Sequence, residues 1–310
     1  MTNLLEDPKA LYSELLRLVQ LRLVHIRFNH DQTLIMFKYT RDVFYKGSWD
    51  LSPALLEARG IVFTNPVKTG KTEIAVLPFR KVFNDGETDV KIDPDRHYTV
   101  IRKINGFMAS VSRNPLTGEA LITTTGSFDS PYVKMAREML EADAVGRKHF
   151  PFEDETWLYE IVHQDDPHVM PEKLGAHYLG SRLISPSSDR HARGDIVPNI
   201  GELLVAKMSG RRAIELAGQL DNIEGFMLFD DDTRQFVAKL KTRAYKTRKF
   251  LMRVGGPKLR AIWDNPSKAR LAFTDEEFWP VFDKLRDVMS FEQFVSLEEQ
   301  DRRIVLDALG

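Results

Sequence analysis

The chain has 310 residues, 43% hydrophobic and 29% charged, which is enough apolar matter for a packed core and excludes wholesale disorder. Lys and Arg number 44 against 45 Asp and Glu, a net charge of -1 that does not by itself suggest a nucleic-acid partner. Cysteine is absent, so disulfides, zinc–thiolate sites and thiol nucleophiles are excluded; with no apolar run of ~18–20 residues and acids where a secretory signal carries lysines, a soluble, cytoplasmic protein is expected.

Asp7-Pro8 marks a helix start, with Asp7 as N-cap, and Leu11, Leu15, Leu16, Val19 and Leu23 recur behind it at helical spacing. Over residues 25–84, short β-branched and aromatic runs (LIMFKY, GIVFTN, EIAVLPF) alternate with Gly, Pro and Asn, the pattern of strands and turns. Residues 98–112 continue it, and 121–128 follow through an Asn-Pro-Leu-Thr-Gly turn. Residues 131–144 and 201–219 read as helices, and 156–162, 223–229 and 235–241 as strands. Residues 163–200 read as loops around short strands, where His163, His168, His177 and His191 are surface residues without zinc spacing. From about residue 250 the pattern is helical, with capping-box signatures at Thr274…Glu277, Ser290…Gln293 and Ser296…Glu299, and Pro280 makes the first of these helices short or kinked. The expected fold class is α+β, with one domain over residues 1–248 and a small all-α domain over 249–310.

Charge follows this division. Residues 239–310 hold fifteen basic against eleven acidic side chains, net +4, which leaves -5 for the first 238. Most of the excess lies in KLKTRAYKTRKFLMR, residues 239–253, with seven basic residues and no acid. Such a run is as often a solvated helix face as a binding surface; Tyr245 and Phe250 within it favour a phosphate-rich partner.

Four strand segments carry charge where a simple core would not. By alternation, Glu160 shares a face with Leu158 and Val162, Glu224 with Phe226 and Leu228, Lys239 with Lys241, and Lys103 with Asn105, just before Gly106. A single charge of this kind reaches water at a strand end. Two carboxylates and three lysines together are costly to bury unless they face one another or a charged ligand, and a cleft for a polyphosphate and a divalent metal satisfies all of them. Lys103 is protonated at its ordinary pKa of about 10.4; Lys239, Lys241 and a metal beside it would lower that value and release a nucleophilic amine. Gly106 would let the backbone approach a nucleotide closely.

Lys103-Ile104-Asn105-Gly106 resembles the Lys-x-Asp-Gly nucleophile motif of the covalent nucleotidyltransferases: DNA ligases, RNA ligases and mRNA capping enzymes. Four residues are a weak signal, but the ordered set is specific: Lys103, then Tyr159-Glu160-Ile161, then Glu224-Gly-Phe-Met-Leu, then Lys239-Leu-Lys241 fifteen residues on. Upstream, Leu56-Glu-Ala-Arg-Gly-Ile-Val-Phe and Pro78-Phe-Arg-Lys-Val-Phe-Asn-Asp-Gly-Glu resemble the bacteriophage RNA ligase 1 family, the tRNA-repair type. The resemblance covers about residues 35–245 and does not extend into the C-terminal helices.

The resemblance implies a nucleotidyltransferase (ATP-grasp-like ligase) domain of antiparallel sheets with flanking helices, followed by a helical C-terminal domain. It implies an ATP-dependent RNA ligase in which Lys103 takes AMP from ATP, passes it to an RNA 5′-phosphate, and a 3′-hydroxyl then displaces AMP. Arg59 and Lys81 would hold the ATP phosphates and Tyr39 would contact the nucleotide, as would Asn105 and Gly106. Glu160 would serve the ribose or a metal, Glu224 a metal (Mg²⁺ or Mn²⁺), and Lys239 and Lys241 the α-phosphate. The partner implied is RNA with 5′-phosphate and 3′-hydroxyl ends, a cleaved tRNA among them. Arg243, Lys246, Arg248 and Lys249 are its candidate contacts if the helical appendage docks RNA, and a stabilising cap is the equal alternative for that appendage. A monomer is expected, in the host cytoplasm if phage-encoded. DNA ligases and capping enzymes append a β-barrel where helices follow here; a non-catalytic RNA-binding protein on the same scaffold is the other alternative. The chain departs from the family in Asn105 for Asp, in Ile104 where some relatives carry an acid, and in Ile122-Thr-Thr-Thr-Gly-Ser, where the turn often carries lysine. A downstream metal-binding acid is also expected, either Asp264 or Asp275.

Overall fold

Helix α1 (Pro8–Gln20) starts as its sequence requires: the Asp7 carboxylate accepts from the Lys9 and Ala10 N–H groups, and Pro8 occupies the first turn. The structure is a computed structural model that describes residues 4–142, 154–166, 168–185, 192–253, 256–267 and 279–309. Helix α1 buries Leu11, Leu15 and Leu18 against a first sheet of β1 (Val24–Phe28), β2 (Leu34–Tyr39), β3 (Arg59–Thr64) and β4 (Ile74–Val76), paired in that order. Tyr12, Phe37 and Phe63 meet edge to face at its centre, with ring centroids 5.4–6.0 Å apart. Three short helices join these strands: α2 (Arg41–Lys46), α3 (Ala54–Glu57) and α4 (Pro66–Thr69).

The chain then enters β5 (His97–Lys103), crosses at 104–106 into β6 (Phe107–Arg113), and returns through β7 (Ala120–Thr124) to helix α5 (Pro131–Ala142). Strands β8 (Glu155–Val162), β9 (Gly175–Leu183) and β10 (Ile196–Pro198) complete a second sheet of order β10-β9-β8-β6-β7. Strand β11 (Leu204–Ser209), helix α6 (Gly210–Gln219), β12 (Gly225–Asp230) and β13 (Gln235–Lys241) follow, and the third sheet has the order β11-β5-β12-β13. Every pairing between these strands is antiparallel.

Alternation along the strands builds the layers. Ile101 and Phe229 of the third sheet meet Met108, Leu158 and Val162 of the second, while Tyr98, Val100, Phe226 and Leu228 turn outward under Ala213 and Ala217 of α6. Helix α5 covers the outer face of the second sheet with Val133 and Ala136. The chain ends in helices α7 (Arg243–Arg253), α8 (Gly256–Asp264), α9 (Trp279–Val288), α10 (Phe291–Ser296) and α11 (Glu299–Leu309). Leu259, Ile262, Leu285 and Phe294 form a separate small core there. Among the described residues, no helix is long and apolar enough to cross a membrane.

The α+β class with antiparallel sheets is as expected; several elements differ. Residues 98–112 continue the strand pattern as expected, as two strands in different sheets. The expected helix over 201–219 is half strand: Leu204–Ser209 pairs with the edge of β5, and Ser209 then caps α6. The expected boundary between residues 248 and 249 falls inside α7. Ser290 and Gln293 form the expected capping box, whereas Ser296 ends α10 and its hydroxyl donates back to the Gln293 carbonyl. His163 is a buried residue, 3% exposed, whose Nδ1 accepts from the Asp165 N–H, and not a surface one. His191 and the Thr274…Glu277 signature lie outside the described residues.

One buried ion pair ties the first sheet's helices to the second sheet. Arg182 of β9 donates to both oxygens of Glu57 (2.6 and 3.0 Å), to the Pro78 carbonyl (2.7 Å) and to the Gly194 carbonyl (2.9 Å). Glu57→Ala leaves that guanidinium buried without its counter-charge and is expected to destabilise the protein by about 3 kcal/mol or more. Breaking the exposed Lys46–Asp42 pair is expected to change stability by less than about 0.5 kcal/mol. Urea unfolding of the two variants compares them.

Candidate active site

Strand register brings the charged residues together. Gly225 of β12 stands opposite Lys103 on one side and Lys241 on the other, and Met227 stands between Ile101 and Lys239. Gly225 has φ +154°, and a Cβ there would strike the Leu240 carbonyl, so glycine is required where β12 slides between β5 and β13. Glu224, just outside the strand, turns to Lys103 instead of following Phe226 and Leu228 as simple alternation would have it. The Lys103 Nζ donates to Glu224 Oε2 at 2.8 Å and to the Ile104 carbonyl at 3.3 Å. Glu160 comes from β8 in the facing sheet, and its Oε1 accepts the Gly106 N–H at 3.1 Å.

Gly106 has a structural purpose in the fold itself. A Cβ on it would run into the Ile161 carbonyl and the Glu160 side chain, so glycine lets the β5–β6 crossover lie against β8, which brings Glu160 up to Lys103. Asn105, within the crossover, is 4% exposed, and its amide Nδ2 has no hydrogen-bond partner among the described residues. A buried donor without a partner leaves a hydrogen bond available to an acceptor from outside the chain.

Arg59 opens β3 beside a bulge. Gly60 has φ +95°, and a Cβ there would stand 2.8 Å from the Thr125 Cα; the bulge sets Arg59 opposite Lys38. Its Nη1 donates to the Phe79 carbonyl at 3.2 Å, and its charge is felt by Lys81, Lys103, Glu160 and Lys239 alike. Lys81 is buried, pairs with Glu87 Oε1 at 3.1 Å, and lies 4.7–5.5 Å from the ring centroids of Phe44, Trp49 and Phe83. Glu87 also accepts from the Asn84 N–H and side-chain amide (2.8 and 2.6 Å), and the Lys239 N–H donates to the Phe83 carbonyl at 2.8 Å. This loop joins Lys81 to β13. Tyr39 packs edge-on against Trp49, with centroids 4.9 Å apart, and belongs to the first core.

In the absence of a metal the electrostatics around Lys103 run the other way from those expected with one. Burial pulls the Lys103 ammonium down, but Glu224 and then Glu160 outweigh it, and its pKa stands above the ordinary lysine value. The depressed lysine is Lys239, where burial, Lys81, Arg59, Lys103 and Lys241 all act in the same direction. Burial raises the Glu160 carboxyl despite Lys103 beside it. Burial also lowers Lys81, and Glu87 offsets part of that.

The other candidates lie apart or are less open. Of the basic run on α7, Arg243 is exposed, Lys246 and Arg248 are half-buried, and Lys249 is 7% exposed; Arg248 donates to the Met170 Sδ at 3.3 Å. This is not one continuous exposed face, and the side chain of Phe250 is outside the described residues. Lys241 Nζ lies over the Tyr245 ring at 5.5 Å. Asp264 is exposed on α8 and paired with Arg260 at 3.2 Å, while Asp275 is outside the described residues. Among the described residues no three His, Asp or Glu side chains gather as a metal cluster. Glu160 and Glu224 do feel each other, and two carboxylates with substrate phosphate oxygens suit a hard cation such as Mg²⁺. Glu87, which holds Lys81 and Asn84 together, went unremarked in the sequence; its position three residues after Asn84 in the Asn-Asp-Gly-Glu turn was the available signal.

The fold has known counterparts. The chain superposes on an archaeal ATP-dependent RNA ligase in two forms, with TM-scores of 0.55 and 0.53 and sequence identities of 14% and 16%. Both alignments cover 96% of this chain and 76% of that one. At such identity the likeness establishes the fold, a ligase-type nucleotidyltransferase fold. No protein-family profile and no curated protein sequence matches the chain.

Because the folded pKa of Lys239 lies below its unfolded value, the unfolded chain binds the extra proton. Stability attributable to this residue therefore rises as pH climbs from the depressed value towards about 10.4. Lys239→Met is expected to remove that slope and to raise the melting temperature of the ligand-free protein at neutral pH. Parallel stability–pH curves for the two proteins would contradict this.

Proposed function

We propose that the protein is an ATP-dependent RNA ligase that works through a covalent lysyl-AMP on Lys103. The observation that carries the reading is the placement of the Lys103 Nζ, 2.8 Å from Glu224 Oε2 on the third sheet, with Glu160 reaching in from the second and Arg59 and Lys239 close by. The fold likeness to a protein described as an archaeal ATP-dependent RNA ligase supports it. So does the order of Lys103, Glu160, Glu224 and the Lys239/Lys241 pair, which resembles the motif series of the covalent nucleotidyltransferases.

In this reading the ATP α-phosphate lies against Lys103, with Lys239, Lys241 and Arg59 drawing off its charge. Asn105 offers its unpartnered Nδ2 to the nucleotide, and Lys81 stands on the Arg59 side for the outer phosphates. Glu224 Oε2 is the acceptor placed for the Lys103 proton; the Nζ lone pair then forms the N–P bond as the bond to pyrophosphate breaks. Glu160 and Glu224 would hold Mg²⁺ or Mn²⁺, which when bound supplies charge neutralisation to the phosphates. AMP then passes to the 5′-phosphate of an RNA, and the 3′-hydroxyl of a second end displaces it. The body preceding α7 carries this chemistry as a monomer, the helices from α7 on form the appendage, and broken RNA such as a cleaved tRNA is the substrate, in a repair role.

Incubation with α-labelled ATP and Mg²⁺ is expected to leave acid-labile, alkali-stable label on the denatured chain, and Lys103→Ala is expected to abolish it. Glu160→Ala is expected to reduce the labelling rate by about a hundredfold or more. Sealing of 5′-phosphorylated RNA in preference to nicked DNA tests the substrate class. Absence of label with either metal sinks the enzyme reading, and preference for GTP points to capping.

A further inference from the structure

At the exposed β1–β2 end of the first sheet, beside the core that Met36 shares with Leu121 and Phe128, lies a cationic patch that the steps above do not use. In register, His25 and Arg27 of β1 lie on the same face as Lys38 and Met36 of β2, and Lys38 stands opposite Arg59. Lys38, Arg27 and Arg41 make no ion pair among the described residues, unlike the surface cations Arg17, Lys46, Lys207 and Arg211, each of which has a carboxylate partner. The Lys38 side chain is exposed as a whole, but its ammonium is tucked against the β7 turn, where a Cβ on Gly126 would stand 2.8 Å from Nζ. That local burial, then Arg27, Arg59 and Arg41, all lower its pKa, and no carboxylate opposes them.

Aromatic surface adjoins this charge. Arg41, Phe44 and Tyr45 are spaced i, i+3, i+4 on α2 and so share a face. Phe44 is 38% and Tyr45 59% exposed, with their rings edge to face at 5.5 Å. Phe44 is also one of the rings beside Lys81, and Arg59 is felt both by Lys38 and by Lys103. The patch therefore leads into the candidate active site.

We infer that this face, Arg27, Lys38 and Arg41 with Phe44 and Tyr45, binds the single-stranded RNA segment whose phosphorylated end enters the site. Clustered cations with no carboxylate partner suit a strand backbone, and exposed rings offer stacking only to bases splayed out of a duplex. The inference rests on the RNA-ligase reading and names the surface that the half-buried basic run of α7 does not supply.

The test is fluorescence polarisation with a labelled, 5′-phosphorylated single-stranded RNA of about twelve nucleotides. The same preparations are assayed for ATP labelling of Lys103. The double variant Lys38→Glu/Arg41→Glu and the single variant Tyr45→Ala are each expected to weaken RNA binding on the order of tenfold, with ATP labelling retained. An RNA duplex of the same sequence is expected to bind with no dependence on Tyr45. Unchanged single-strand affinity in both variants overturns the inference. Loss of Lys103 labelling in step with RNA affinity also overturns it, because the patch would then belong to the ATP step. A wild-type protein that takes no label, yet binds RNA through these residues, would keep this surface and remove the ligase reading instead.

Discussion

The ion pair between Lys103 and Glu224, with Glu160 beside it, is the interaction on which the site's geometry depends. It joins the end of β5 to the residue before β12, and the same β5 continues through three residues into β6 of the other sheet. Two carboxylates keep Lys103 charged when no ligand is present, which resolves the problem of a buried ammonium without an external counter-ion. Close packing makes this possible: glycine at 225 lets β12 pass between its neighbours, and glycine at 106 lets the crossover touch β8. A methyl group at either position would move one partner away from Lys103.

The charge around this pair is unevenly matched. Lys103 has acidic company, Lys81 has Glu87 and an aromatic enclosure, and Lys239 is surrounded mainly by cations, with Glu87 also within electrostatic reach. A strongly depressed lysine and the unpartnered buried amide N–H of Asn105 leave the site incomplete on electrostatic and hydrogen-bonding grounds, and both gaps are of the kind that a phosphate-bearing ligand fills. The -1 net charge of the whole chain conceals this local excess and the separate unpaired cations on the first sheet.

Much of the site was legible because charge interrupts apolar alternation at Lys103, Glu160, Glu224 and Lys239, and their order resembles a known motif series. The helix start at Asp7-Pro8 and the strands around residues 156–162 and 235–241 were legible for equally local reasons. What escaped was decided by neighbours distant in sequence. Leu204–Ser209 is a strand because the edge of β5 offers it hydrogen bonds, and Lys249 is buried on α7, a helix that packs against α11 and α6. The direction of the Lys103 pKa shift turned on which carboxylates, rather than which lysines, the fold brings closest. The close approach of Gly106 to the Ile161 carbonyl also escaped, because that contact exists only once β8 lies beside the crossover.

The most direct measurement of the account is a structure of the protein with Mg²⁺ and an ATP analogue whose α,β-bridging oxygen is replaced by methylene. The account predicts the α-phosphorus opposite the Lys103 Nζ, the Lys103–Glu224 contact opened, and Asn105 Nδ2 donating to the nucleotide. A nucleotide bound elsewhere, or one bound here with Lys103 still closed on Glu224 and Asn105 still unpartnered, would contradict it.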